Sequence, residues 1–224
     1  MDKTKTLRII FDLDGTLLDV LERYYAVFCE CCEEIRVSPF SKEKYLDLKK
    51  KGIKDAQILV QEYHLSSDKI INFKQYRNSI LEESRYLDMD RLHESVRPLL
   101  AELQEKNYEL VLLSLRDNID NSIMQLKRLG IFDFFSKVIF TGPFLAAQDH
   151  ADRKYRRFLE HFSPQDFEGN YYVGDTITDL KTSHKLGTKM VMVGWGLDDV
   201  HKLDPSKVDF MVHNFSDLRK ILLP

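Results

Sequence analysis

Leu7-Arg8-Ile9-Ile10-Phe11-Asp12-Leu13-Asp14-Gly15-Thr16 carries an apolar, β-branched run straight into two carboxylates and a glycine. A run with no polar alternation reads as a strand buried on both faces, as in a parallel sheet. Similar runs recur at Tyr108–Leu113, Lys137–Thr141, Asn170–Val173, Lys189–Val193 and Val208–His213. Segments of helical period lie between them: Leu92–Lys106, Ile119–Leu129 ending at Gly130, Arg153–His161, and Ile177–Leu186 ending at Gly187. Strand alternating with helix predicts an α/β protein with a Rossmann-like parallel sheet.

The alternation fails once. Asp19–Asp90 shows no strand signal and reads as helices over Val20–Arg36, Lys42–Lys50, Lys54–Tyr63 and Asp68–Arg85. A crossover between parallel strands needs only about a dozen residues. The excess predicts an inserted α-helical domain over 19–90, with the α/β core formed by 1–18 and 91–224. The Cys29-Glu30-Cys31-Cys32 cluster lies in the first of these helices. No further Cys or His completes a four-ligand metal set with it, and free cysteines pack well inside a helical core.

Composition narrows the function. The chain has 224 residues, 43% apolar and 31% charged, enough for a buried core and a solvated surface. Its 33 basic and 36 acidic side chains give a net charge of −3, which argues against nucleic-acid binding by bulk charge. No run approaches the roughly 18 apolar residues of a membrane helix. Met1–Thr6 does not read as a signal peptide. With an odd, clustered set of cysteines, these features predict a cytoplasmic protein. Nothing in the sequence fixes an oligomeric state, and a monomer is compatible with it.

The chemistry concentrates at strand ends. In a strand, residues i and i+2 project to one side, so Asp12 and Asp14 are expected to address one point. Two close carboxylates need a cation, a shared proton or different roles. A hard divalent ion such as Mg²⁺ fits, since it takes oxygen ligands. A calcium loop counted from Asp12 fails, because Leu17 and Arg23 stand where glycine and glutamate are required. Gly174-Asp175-Thr176-Ile177-Thr178-Asp179 repeats the pattern after a later strand; Asp175 or Thr176 could equally cap a helix, with Asp179 in its first turn. Ser114 and Arg116 follow another strand. Lys154 supplies a compact positive charge, but charge alone does not separate it from Arg153 or Arg157.

Asp12-Leu13-Asp14-Gly15-Thr16, then Ser114, a lysine, and Gly174-Asp175 with Asp179, in that order, resemble the haloacid dehalogenase superfamily. The helical insert resembles the α-helical cap of its phosphoglycolate phosphatase and β-phosphoglucomutase-like branch. Two positions depart from that pattern: Leu115 stands where asparagine is frequent, and Tyr155 where proline is familiar after the lysine. The resemblance implies a Mg²⁺-dependent phosphatase acting on a small phosphorylated metabolite. Asp12 would be the nucleophile that forms an aspartyl-phosphate, and Asp14 the general acid and base. Mg²⁺ would sit among Asp12, the Asp14 carbonyl and Asp175. Ser114 and Lys154 would hold phosphate, with Asp179 behind them. The presence of Asp14 favours phosphate esters over halide displacement. A phosphomutase acting on a sugar phosphate is the alternative enzyme, and a catalytically inactive binding module the alternative of another class. Lys49-Lys50-Lys51-Gly52 reads either as a solvated helix end or as a contact for an anionic substrate tail. Trp195, between Gly194 and Gly196, reads as a cleft residue or a cover for the sheet edge.

Overall fold

The computed structural model describes residues 7–143, 149–196 and 204–223; Met1–Thr6 lies outside them. Eight strands and ten α-helices occur among the described residues. Six of the strands form one sheet, all parallel: β1 (Arg8–Phe11), β4 (Glu109–Ser114), β5 (Lys137–Phe140), β6 (Tyr171–Gly174), β7 (Lys189–Val193) and β8 (Phe210–Val212). Their order is β5-β4-β1-β6-β7-β8. The chain runs outward from β1 through β4 to β5, then returns to β6 on the other side of β1. That reversal leaves a crevice at the carboxyl ends of β1, β4 and β6, where open α/β sheets place ligands.

The unbroken apolar runs are explained by layers on both faces. Ile9, Phe11, Leu110, Leu112, Val191 and Val193 pack with α6 (Val96–Glu105) and α10 (Phe215–Leu222). The alternate residues Ile10, Val111, Leu113, Met190 and Met192 pack with α8 (His150–Leu159) and α9 (Ile177–Leu186). Both sets are buried, so no polar position interrupts the strands. The remaining sheet-side helix, α7 (Ile119–Arg128), follows β4.

The insert is helical as expected: α1 (Leu21–Glu34), α2 (Lys42–Lys50), α3 (Asp55–Gln61), α4 (Ser67–Ile80) and α5 (Ser84–Leu87). It has a separate apolar cluster of Val27, Phe28, Cys31, Cys32, Tyr45, Ile58, Leu59 and Phe73. Cys31 and Cys32 are therefore core residues, and burial pushes both thiols up to about 12, far from reactive thiolates.

Three features differ from the sequence expectation. The helix expected over Asp68–Arg85 breaks after Ile80 and resumes as α5. A two-stranded antiparallel ribbon, β2 (Leu18–Asp19) with β3 (Arg91–Leu92), closes the base of the insert. Its strands are too short to show a period. Helix α10 lies where the sequence pattern predicts none, and Asn214 caps it by accepting from the Asp217 N–H at 2.9 Å. No helix among the described residues is long and apolar enough to cross a membrane.

Leu112 lies fully buried in β4. Leu112→Ala is expected to lower unfolding stability by about 2–5 kcal/mol. Urea denaturation measures it, and a loss below ~1 kcal/mol would mean that the layers around β4 can collapse into the vacated space.

Candidate active site

Strand β1 ends at Phe11, and the Asp12 N–H still donates to Val173 O at 2.9 Å, which fixes the carboxylate over the end of the sheet. Lys154, from α8, reaches the same point. Its Nζ lies 2.5 Å from Asp12 Oδ1 and 2.6 Å from Asp179 Oδ1, with Tyr172 Oη at 3.3 Å. Geometry thus separates the three basic candidates. Arg153 pairs with Asp117, while Arg157 donates to Thr141 O and Glu160.

Asp175 follows β6 and is fully buried, accepting from Thr16 Oγ1 at 3.0 Å. Thr176 is the helix cap and accepts from the Asp179 N–H. Asp179 Oδ2 accepts from the Thr176 N–H and Oγ1 at 3.0 and 2.6 Å, and Oδ1 from Lys154 and from Tyr172 Oη at 3.1 Å. Asp179 is therefore both a capping residue and the anchor of Lys154. Two glycines make room for these acids. A Cβ on Gly174 would come within 2.5 Å of Asp179 Cβ, and one on Gly196 within 2.1 Å of Asp175 Cβ.

Carboxylate oxygens of Asp12, Asp175 and Asp179 lie within 4.8 Å of one another. Three buried carboxylates thus share one corner of the site with the Lys154 ammonium. Burial pushes the Asp12 carboxyl up, to about 7, against Lys154 and with the help of Asp179. Burial acts to lower Lys154, but Asp12 and Asp179 outweigh it and hold the ammonium protonated. Both shifts express one fact: two carboxylates compete for a single buried cation. A donor set made of carboxylate oxygens fits a hard divalent ion.

Asp14 does not join that cluster. Both Asp12 and Asp14 line the same chamber, of about 290 Å³. The Asp14 carboxylate, however, takes Arg116 Nη2 at 2.6 Å, Arg116 Nε at 3.1 Å and Arg23 Nη2 at 2.9 Å. The expectation of two acids addressing one point assumed that the strand continues to Asp14; it ends at Phe11, and the turn gives the two carboxylates different partners. Burial raises the Asp14 carboxyl, but Arg116 and then Arg23 outweigh it and hold it well below the usual range.

Ser114 ends β4 and lines this chamber with Arg116, Arg153, His150 and Glu82. Glu82, from the insert, accepts from the Asp117 and Asn118 N–H groups at the start of α7, and Asn121 Nδ2 donates to Glu82 O at 2.9 Å. An outer chamber of about 520 Å³ shares Tyr24, Arg77 and His150 with the first and adds Lys49, Gly52, Lys54, Asp55 and Lys74. Of the basic run, Lys49 thus faces the cleft, whereas Lys51 pairs with Asp47. Trp195 donates to Thr16 O at 3.1 Å and stacks on Phe215, so it braces the Asp12–Thr16 turn from the sheet side.

Sequence reasoning missed Arg23, Asp90, Gln125 and Tyr172. Arg23 left a signal: it shares an i, i+4, i+8 stripe with Val27 and Cys31, so a charge stands on the buried face of α1.

Gly196→Ala is expected to keep the fold and displace Asp175. Affinity for Mg²⁺, followed by calorimetry, should fall about 10–100-fold, the range for a disturbed supporting contact. An unchanged titration would show that Asp175 is not a ligand.

Comparison with known proteins places the chain in a family. Pyrophosphatase PpaX of Bacillus pumilus is 25% identical over 224 residues, spanning 99% of each chain. A phosphoglycolate phosphatase of Synechococcus elongatus is 28% identical over 212 residues, spanning 94% of each. A haloacid dehalogenase-like hydrolase of Streptococcus pneumoniae superposes with a TM-score of 0.75 at 23% identity, covering 97% of this chain and 99% of its own. The family described as haloacid dehalogenase-like hydrolase matches residues 9–193, which takes in Asp12, Ser114, Lys154 and Asp175, and the chain belongs to that family.

Proposed function

We propose that the protein is a Mg²⁺-dependent phosphatase that hydrolyses a small phosphomonoester through an aspartyl-phosphate on Asp12. The observation that carries this reading is the buried Lys154 between Asp12 and Asp179, beside Asp175, at the mouth of β1. Asp12, the Asp14 carbonyl and Asp175 would hold Mg²⁺. The bound ion would supply the positive charge that lets an anionic carboxylate meet an anionic phosphate.

The chain's own groups divide the remaining work. Asp12 attacks phosphorus, splitting one hard displacement into two easier ones. Lys154 and Ser114 hold phosphate oxygens as charge shifts in the transition state. Asp179 and Tyr172 keep the Lys154 ammonium in place. Asp14 moves the protons, and Arg116 and Arg23 keep it ionised, the state in which it can take a proton from the attacking water. The helical segment 19–90 acts as a cap over the cleft and excludes bulk water during transfer.

The cleft lining also bears on the substrate. Lys49, Lys54, Lys74 and Arg77 line the outer chamber against the single carboxylate Asp55, in a protein of net charge −3. A second anionic group on the substrate suits that lining. Pyrophosphate and phosphoglycolate, the substrates in the relatives' names, each carry one.

A phosphate-release screen with Mg²⁺ over pyrophosphate, phosphoglycolate, sugar phosphates and nucleotides tests the reading. Free phosphate is expected, and Asp12→Asn should abolish it in a folded protein. Formation of an isomeric sugar phosphate would identify a mutase, and no turnover of any compound a binding module.

The cap is expected to shift on ligand binding. Small-angle scattering with and without Mg²⁺ and a metal fluoride should show a more compact particle with the ligand, provided that the closed form contacts it more extensively. Identical distance distributions would indicate a rigid cap.

A further inference from the structure

Arg23, Asp90 and Arg116 form a closed ring of charge with Asp14. Arg23 places Nη2 2.9 Å from Asp14 Oδ1 and Nε 3.0 Å from Asp90 Oδ1. Arg116 places Nη2 2.6 Å from Asp14 Oδ1 and 3.1 Å from Asp90 Oδ2. Gln125 completes it, accepting from Arg116 Nη1 at 2.5 Å and donating to Asp90 Oδ2 at 2.8 Å. Two cations face two anions, and Arg23, Arg116 and Asp90 are all buried. Arg23 adds charge at close range without an aligned hydrogen bond from any of its nitrogens. An arrangement so costly to desolvate is weak as a source of stability, since apolar residues could fill the space. It fixes one geometry instead.

The only member besides Arg116 that faces the inner chamber is Asp14. Arg23 belongs to α1, at the insert's entry, and Asp90 immediately precedes β3, at its exit. Arg116 and Gln125 belong to the sheet side. The ring therefore closes only when the helical segment is seated on the core.

We propose that Arg23, Asp90 and Arg116 are positioning residues that hold the Asp14 carboxylate where it receives a proton from the water attacking the phospho-enzyme, and that Arg23 and Asp90 make this placement depend on the seat of the helical segment. The inference rests on the aspartyl-phosphate reading. In the step concerned, a water oxygen bonds to phosphorus, the bond from phosphorus to Asp12 breaks, the electron pair returns to the Asp12 carboxylate, and the water proton passes to Asp14. Formation of the phospho-enzyme from a substrate with a good leaving group does not draw on that proton transfer.

The test is Arg23→Met/Asp90→Asn, which removes one charge of each sign and avoids an unpaired buried ion. With p-nitrophenyl phosphate and Mg²⁺, kcat is expected to fall about tenfold or more, the lower range for a lost proton transfer. KM should fall in parallel, leaving kcat/KM within about threefold, and a burst of nitrophenol should appear as phospho-enzyme accumulates. Arg23→Lys, which keeps the charge, should recover part of kcat. Equal losses in kcat and kcat/KM without a burst, or no change in either, would overturn the proposal. A crystal structure of the double variant gives a reading that needs no turnover. The Asp14 carboxylate is expected in a second orientation, and an unmoved one would overturn the proposal. Absence of phosphate release by the parental protein would refute the phosphatase reading instead, and the crystal structure would still decide whether the ring orients Asp14.

Discussion

The site is organised around one buried ammonium held between two carboxylates. Lys154 is buried with Asp12 on one side and Asp179 on the other, and the Asp175 carboxylate lies in the same cluster. Burial makes every one of these charges expensive unless it is paired. The sheet makes the arrangement possible. Strands β1 and β6 are adjacent and parallel, so the residues that follow them emerge side by side. Glycine at 174 and 196 removes the Cβ atoms that would push Asp179 and Asp175 out of place.

A second set of charges, around Asp14, is kept apart from the first. Asp12 and Asp14 are two residues apart, yet one is held by a lysine from α8 and the other by arginines from α1 and the end of β4. The separation gives neighbouring carboxyls opposite tendencies: Asp12 is lifted towards about 7, while Asp14 is held down. Two equivalent acids at the end of one strand would compete for the same proton. Here their partners distinguish them before any substrate arrives.

Much of this was legible in the sequence. The strand runs, the helical insert and the acids at the mouths of β1 and β6 all follow from local pattern, because period and strand-end chemistry are local properties. The identity of the lysine was not. Arg153, Lys154 and Arg157 differ in which way α8 turns each of them, and α8 is seated by packing such as that of its Phe158 on Phe167. The parting of Asp12 from Asp14 was hidden by where β1 stops, a matter of ladder register. The ring depends on residues far apart in the chain, Arg23 with Asp90 and Asp14 with Arg116, and a pairing at such separation has no local trace. Only the misplaced charge on the apolar stripe of α1 hinted at it.

The separate apolar core of the helical segment bears on how such a protein can change over time. Lys49, Lys54, Lys74 and Arg77 line the outer chamber from elements packed on Phe28, Tyr45, Ile58 and Phe73, none of which belongs to the sheet's interior. Substitutions far apart and without shared partners act almost independently. Lys49, Lys54 and Lys74, which line the outer chamber and not the inner one, are thus free to change with new ligands while the acids at the strand ends stay as they are. Arg23, like Glu82, belongs to the helical segment and meets groups on the sheet side. Exchange of the helical segment between relatives would have to carry Arg23 and Asp90 along with it, and descent by recombination would leave those two residues inherited as a pair.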